Sequence, residues 1–474
     1  MVMGEFTRET DVAVLGGGPG GYAAAFRAAD LGLNVTLIDE SGRPGGVCLF
    51  RGCIPSKALL HATEMISAAR RSSQMGIKFS DPEIDLEALQ KWKNQTVDKL
   101  AKGLVNLCEK RGVELVQARA AFEDSQTLRL YESESDVSHI QFRQCIIATG
   151  SAAIHLPDFE SKKNGRVMDS TAALQLTDIP ETLLVIGGGY VGAEMGSVYA
   201  VLGSKVTLVE MTDGLLPGTD RDLVKPLQKS MQELFKAIYF NTKVEKLEEH
   251  QDRVDVMLTG EAEEAEQSFD RVLMAIGRRP NSDNIGLDNT EVELDDNGYI
   301  VVDERQRTRD KQIYAVGDVV GGVMLAHKAM YEGRVAAEVI KEQPAASDAR
   351  AIPAVVYTNP QLAWCGLTET EAEKQNREVK VTRFPWSASG RAATMGVAGG
   401  LTKMIIDPQN GQILGLGIVG AEAGELISEG VLAVEMGALA RDVALSIHPH
   451  PTLSESEEEA AEAFLGSATH ILAK

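Results

Sequence analysis

The residues with the most chemical potential in this 474-residue chain are two thiols, Cys48 and Cys53, in the stretch GGVCLFRGCIPSKALLH (45–61). A C-x4-C pair can bind a metal, fill a core, or open and close as a disulfide. Zinc sites add a second cysteine pair or histidines at fixed spacing, and neither accompanies this pair, so no metal is expected. On an ideal helix the two Cα atoms would be about 8–9 Å apart, and on a strand roughly 16 Å. A disulfide needs less than about 7 Å. The loop must therefore wind more tightly than either, and Gly52 is the residue that permits it. Pro55 suits the first turn of a helix, and SKALLHATEMISAARR continues with helical character. That places Cys53 near a helix N-terminus, where a thiolate is favoured. Lys57, a turn further on, either adds to that effect or is an ordinary solvated lysine. A labile, catalytic dithiol is the expectation.

A second candidate lies in HPHPTLSE (448–455). His450 precedes Glu455 with Pro451 between them, and a nearby carboxylate would orient the imidazole and raise its pKa toward a value useful for deprotonating a thiol. His448 reads as a structural residue. Asp318 ends the apolar run QIYAVGD (312–318); it is either a surface turn residue or a carboxylate where open α/β sheets place their ligands.

An internal duplication supplies the elements to position these groups. VLGGGPGGYAAAFRAADLGLNVTLID (14–39) aligns without a gap on VIGGGYVGAEMGSVYAVLGSKVTLVE (185–210). Gly16, Gly18 and Gly21 fall on Gly187, Gly189 and Gly192, and Asp39 falls on Glu210. Each copy reads as strand, glycine turn, helix and a second strand ending in an acid, the dinucleotide-binding βαβ unit. The glycines make the tight turn, admit a pyrophosphate to the backbone and let helix and strand pack closely. CIIATG (145–150) and VLMAIG (272–277) add a buried strand to each copy. Past residue 350 the texture changes to an α+β pattern. GLTKMIIDPQNGQILGLGIVG (400–420) reads as a hairpin and helices are expected over 421–440 and 453–466. The acidic run GEAEEAEQ (260–267) reads as a solvated loop. The fold class is α/β: two Rossmann-like dinucleotide-binding domains, one inserted in the other, plus a C-terminal α+β domain.

Composition is that of an ordinary soluble globular chain, 44% hydrophobic and 24% charged. The net charge of −22 repels phosphate backbones, which argues against nucleic-acid binding. No stretch has the length and apolarity of a membrane span, and the N-terminal MVMGEFTRETD has neither signal-peptide nor transit-peptide character, so the expected location is cytoplasmic. Five cysteines, Cys48, Cys53, Cys108, Cys145 and Cys365, are too few for a disulfide-built secreted scaffold.

The two fingerprints, the motif GGVC followed by GCIPSKALLH, and the C-terminal HPHPTLSE together resemble the pyridine nucleotide–disulfide oxidoreductases over the whole chain, and within them the branch that oxidises dihydrolipoamide. The resemblance implies FAD on the first fold, NAD on the second and a homodimer built by the last domain. The implied boundaries are 1–151 and 282–350 for the FAD-binding parts, 152–281 for the inserted NAD domain and 351–474 for the interface domain. By matching position, Gly16, Gly18, Gly21, Asp39 and Asp318 would hold FAD, and Gly187, Gly189, Gly192 and Glu210 would hold NAD. Further cofactor contacts are expected at Lys57, Thr149, Gly150, Ala326 and Gly277. Glu194 alone reads as an exposed helix residue; the resemblance pairs it with Lys57 beside the flavin ring. It also makes Cys48 and Cys53 the redox disulfide and His450 with Glu455 the base acting across the dimer. The implied partners are the lipoyl domains and core acyltransferase of 2-oxo acid dehydrogenase complexes.

Glu210 favours NAD on physical grounds, because a carboxylate accepts ribose hydroxyls and repels a 2′-phosphate. Two positions depart from the pattern. Phe50 replaces an Asn between the cysteines, and Tyr190 replaces a small aliphatic residue as in glutathione reductases. Glutathione- or mercuric-reductase-like activity, and a docking role for the acidic surface, are the alternative readings.

Overall fold

A computed structural model describes residues 6–133, 136–156 and 165–472; the first five residues of the N-terminal stretch read above lie outside these. The chain divides into two compact units.

The first unit comprises residues 1–58, 85–154 and 277–348. Its central strand, Phe6–Leu15, pairs in parallel with Val35–Asp39 on one side and Val137–Ile147 on the other. Glu114–Gln117 extends the sheet beyond Val35–Asp39, and Ile313–Ala315 pairs in parallel with the end of Val137–Ile147. Val12, Ala13, Val14 and Leu15 are all buried in succession, the signature of a parallel strand covered on both faces. The helix Pro19–Asp30 covers one face through Ala24, Ala25 and Ala28. It packs on Ala326–Ile340 so closely that a Cβ at Gly333 would lie 2.3 Å from the Gly20 carbonyl oxygen. A long helix, Leu86–Arg111, starts where the Asp85 side chain accepts the Ala88 N–H at 2.9 Å and stops at Gly112 with φ +66°.

The second unit comprises 59–84, 155–276 and 349–474. Its parallel sheet runs in the order Ala237–Tyr239, Lys205–Val209, Thr182–Ile186, Arg271–Met274, Val167–Met168. A three-stranded antiparallel sheet is inserted between the parallel strands Ala237–Tyr239 and Arg271–Met274, and the acidic run contributes to it. Glu266 and Gln267, expected in a loop, begin the strand Glu266–Phe269 and pair with Met257 and Val256. The pairing is made by the backbone, and side chains alternate across the strand, so Glu266 faces outward while Gln267 is half-buried on the side of Phe269. The C-terminal part is an antiparallel sheet in the order Ala354–Val356, Gln361–Gly366, Ile413–Gly420, Leu401–Ile406, Lys380–Pro385. The expected hairpin is its middle pair. Helices Ala423–Met436 and Glu455–Leu465 pack on this sheet. Its core centres on Trp386, fully buried, whose indole N–H donates to Thr402 Oγ1 at 2.9 Å.

Lys403, on the Leu401–Ile406 strand, is 1% exposed and reaches Asp220 at 2.7 Å, Asp222 at 2.9 Å and Glu369 at 2.6 Å. Arg383 adds a second cation on Asp222 and Glu369. Burial opposes ionisation of Asp220 and Asp222, but the hydrogen bonds from Lys403, joined by Thr370 at Asp220 and Arg383 at Asp222, outweigh it and hold both carboxyls below their ordinary range. Folded pKa values depressed in this way stabilise the protein above about pH 4 and cease to do so as pH falls through them. Lys403→Met should cost about 3–5 kcal/mol at neutral pH by leaving the buried Asp220 without its cation, since Arg383 stays on Asp222 and Glu369. Thermal unfolding followed from pH 7 down to 4 should show the gap to wild type narrowing as the orphaned carboxyl takes up a proton.

Candidate functional site

Cys48 lies in a short helix, Gly46–Arg51, and Cys53 is the first residue of the helix Cys53–Arg71. Gly52 is the break between them, where a Cβ would meet the Val47 carbonyl oxygen at 3.0 Å. The chain is thus neither one helix nor extended, as the spacing requires. Leu49 packs with Val97 and Ala101 of the long helix, and Phe50 and Ile54 close over that cluster. The Arg43 guanidinium sits 4.8 Å from the Phe50 ring centroid, so Phe50 does structural work where an Asn was the family expectation. The start of the loop is fastened to the first glycine turn. Gly45 N–H donates to the Gly17 carbonyl at 2.7 Å, and a Cβ on Gly46, whose φ is +58°, would lie 2.5 Å from Gly18 Cα.

Both sulfurs are half-buried. A hydrogen bond from Cys53, then burial, push the Cys48 thiol far above its ordinary pKa, while the Lys57 charge pulls it back. Tyr22, on the helix that follows the glycine turn, is within electrostatic reach of both sulfurs. Burial, then Cys48 and Cys53, push its phenol up to about 12. Nothing in its sequence context singled out Tyr22.

The same turn forms a cradle. Gly16 has φ +105°, and a Cβ at Gly21 would fall 1.8 Å from the Gly16 carbonyl oxygen. In front of Gly18, which caps the helix, nothing among the described residues lies within 4 Å of where a Cβ would be, which leaves the helix N-terminus open to an anion. Asp39 accepts the Gly17 N–H at 2.7 Å and the Ser41 N–H at 2.9 Å, and its remaining lone pairs can accept ribose hydroxyls. Thr149 and Gly150 are tied to Asn281 through its carbonyl, side-chain amide and N–H. Asp318 accepts from Ser151 Oγ, which is gripped by Arg278 Nε at 2.8 Å. Ala326 opens its helix, and the buried Glu332 holds the Gly317 N–H at 2.8 Å and Lys328 at 2.9 Å. Ser151, Arg278 and Glu332 were missed by sequence reasoning, since their partners lie about 15 to 170 residues away in the chain. The open glycine turn and Asp39 fit the pyrophosphate and ribose of a dinucleotide.

The second cradle repeats the first. Gly187 has φ +106°, a Cβ at Gly192 would meet its carbonyl oxygen at 2.0 Å, and the space before Gly189 is open. Glu210, buried, accepts Gly188 N–H at 2.7 Å and Thr212 N–H at 2.8 Å. The nearby Arg221 spends its guanidinium on the carbonyls of Leu215, Leu216 and Thr219, so it is committed to the loop rather than to a 2′-phosphate. Tyr190, the first residue of the helix Tyr190–Leu202, is 42% exposed. Glu194, which reads as exposed from its sequence context, is 3% exposed and accepts the Tyr357 N–H at 3.0 Å. The helix carrying it is buried on nearly every side, which its Gly- and Ala-rich sequence permits. Gly277, φ +128°, accepts the Ile154 N–H at 3.0 Å.

In the C-terminal part, His450 Nδ1 lies 2.7 Å from Glu455 Oε1, and Glu455 Oε2 accepts the Thr452 N–H at 2.7 Å. The carboxylate thus fixes the ring with Nδ1 as donor and Nε2 as the available base. The His450 side chain is 72% exposed. Burial raises the Glu455 pKa, but the hydrogen bonds from His450 and Thr452 outweigh it and hold the carboxylate below its ordinary range. Among the described residues the one cluster of three acids with metal-ligand geometry is Asp220, Asp222 and Glu369, and Lys403 fills it.

The pyridine nucleotide-disulphide oxidoreductase family matches residues 10–333, and its dimerisation domain matches 352–461. A dihydrolipoyl dehydrogenase of Haemophilus influenzae is 45% identical over 98% of this chain and 96% of its own, and one of Geobacillus stearothermophilus is 42% identical over 100% of both. Among solved structures, LpdA of Mycobacterium tuberculosis superposes with a TM-score of 0.89 at 26% identity, covering 96% of this chain and 99% of that one. The HOCl-induced flavoprotein disulfide reductase RclA of Escherichia coli does so with 0.83 at 28%, over 95% and 99%. No helix among the described residues is long and apolar enough to cross a membrane. The cofactors are FAD and NAD. With its paired nucleotide cradles, its dithiol seated on the first of them and a dimerisation domain, this chain belongs to the pyridine nucleotide-disulphide oxidoreductase family.

Proposed function

We propose that the chain oxidises protein-bound dihydrolipoamide to lipoamide with reduction of NAD+ to NADH, as a homodimer serving 2-oxo acid dehydrogenase complexes in the cytoplasm. The observation that carries the reading is the Cys48–Cys53 pair docked on the glycine turn of the first cradle. Residues 1–151 and 282–350 would form the FAD-binding domain, 152–281 the NAD domain and 351–474 the interface. Lys57 and Glu194 are assigned to the flavin's surroundings. The names of the full-length relatives support the substrate, and Glu210 with a committed Arg221 supports NAD over NADP.

The chain's own residues then act in order. His450, oriented by Glu455, takes a proton from one dihydrolipoamide thiol across the dimer. The resulting thiolate attacks Cys48 of the disulfide, a sulfur–sulfur bond forms to substrate, and Cys53 leaves as a thiolate favoured by its place at a helix N-terminus and by Lys57. The second substrate thiol, once deprotonated, displaces Cys48, so lipoamide departs and both cysteines are reduced. FAD, when bound, supplies the two-electron path from the dithiol to NAD+.

Cys48→Ser should abolish dihydrolipoamide oxidation while retaining turnover of NADH with an artificial dye; equal loss of both would contradict the relay. Stopped-flow measurement of the dithiol half-reaction should show His450→Gln slowed by roughly 10²-fold or more. Gly46→Ala, strained at φ +58° and driven into the Gly18 backbone, should purify with substoichiometric flavin, and a full flavin complement at wild-type activity would refute the importance of that contact.

A further inference from the structure

His448 stands two residues before His450 and was read from sequence as a bland neighbour. Its side chain is only 6% exposed, against 72% for His450. Nε2 lies 2.8 Å from Glu429 Oε1 on the helix Ala423–Met436, and Nδ1 lies 2.9 Å from the Ser446 carbonyl and 3.4 Å from Glu458 Oε2 on the helix Glu455–Leu465. Every one of these partners is an acceptor. A neutral imidazole has one N–H and could satisfy one side only, whereas the imidazolium satisfies both.

We propose that His448 is a positioning residue for His450: as an imidazolium it clamps the His-Pro-His-Pro loop between two helices, so that the base keeps its aim. The inference rests on the reading of His450 as the base. Two carboxylates on the helix Glu455–Leu465 thereby hold the two ends of one short loop, Glu455 through His450 and Glu458 through His448, while Glu429 anchors it to the other helix. A loop with Thr452 Oγ1 bonded back to the Pro449 carbonyl at 2.7 Å is compact enough to transmit the restraint.

The acids around the clamp are set to favour the cation. Burial works against the His448 imidazolium, but Glu429, the Ser446 carbonyl and Glu458 outweigh it and raise the pKa above the ordinary value. Glu457, 1% exposed, has an Oε1 with no hydrogen-bond partner among the described residues; its burial, then the charge of Glu429, push its carboxyl well above the ordinary range. Glu429 has the His448 ring as its hydrogen-bond partner at 2.8 Å. Burial, offset by His448 and reinforced by Glu462, Glu455 and Glu459, raises Glu458. With the folded pKa of His448 raised, the clamp is complete below the ordinary histidine value and is lost as pH rises through the raised one.

The test uses the FAD-loaded dimer and measures the dihydrolipoamide half-reaction between pH 6 and 9 beside NADH-to-dye turnover. His448→Gln should slow the half-reaction roughly 10- to 100-fold, as misplacement of a reacting group does, with dye turnover within about twofold of wild type. Glu429→Gln, which keeps the side chain's size should the first variant fold poorly, should move the alkaline fall in rate to lower pH. In a His450→Gln background, His448→Gln should add no further loss, because it acts through the missing ring. An unchanged pH profile in Glu429→Gln, equal loss of both activities, or additive losses in the double variant would overturn the proposal. If His450→Gln alone left the half-reaction unchanged, the base assignment itself would fall first, a separate result.

Discussion

The chemistry of this protein depends on a backbone contact between two glycine-rich loops. Gly45 and Gly46 lie against Gly17 and Gly18, with a Gly45 N–H to Gly17 carbonyl bond of 2.7 Å and no room for a Cβ at Gly46. A dithiol exchanges electrons with a bound nucleotide only at contact range, and side chains between the two loops would add several ångströms. By removing side chains from both loops, the sequence lets the thiol-bearing turn rest on the turn that cradles the dinucleotide. Leu49 and Ile54 then fix its other side to the long helix through Val97 and Ala101. The redox pair is located by packing on two sides and needs no disulfide to hold its position.

The two cradles show how one design is reused with a different terminal acid. Asp39 and Glu210 each accept the N–H of the middle glycine, Gly17 or Gly188, at 2.7 Å, and each takes a second N–H two residues after itself. The shared bonds stabilise the turn whether or not a nucleotide is bound. Glu is one methylene longer and Glu210 is buried, whereas Asp39 is half-buried. The charge of the buried acid is therefore less screened than that of the half-buried one.

What the sequence disclosed was what repeats or recurs at short range. The duplicated fingerprints, the C-x4-C spacing before a Pro-led helix and the His450–Glu455 spacing each involve residues close enough in the chain for spacing alone to imply geometry. The Asp318–Ser151–Arg278 chain, the Glu332 bond to Gly317 and the Tyr22 approach to the thiols join residues brought together only by the parallel sheet or by helix packing. No local pattern encodes them. Glu194, taken from its sequence context alone, looks exposed for a related reason. Its helix has no polar face, so a single acid within it gives no sign of which neighbour will supply its hydrogen bond.

The segment ESEEE (455–459) shows the limit most sharply. As composition it is a charge run, ordinarily a solvated helix face. On a helix, however, successive residues turn by about 100°, and here the acids meet four environments. Glu455 orients His450, Glu457 is buried with its pKa pushed well up by that burial and then by Glu429, Glu458 faces His448, and Glu459, 6% exposed, takes the N–H groups of Thr469 and His470 together with the His470 ring. Burying several like groups on one helix is tolerable where each charge has a cation or backbone donor, as Glu455, Glu458 and Glu459 do. Acidity that reads as solubility in the sequence is, at this helix, the device that holds His448, His450 and His470 in place.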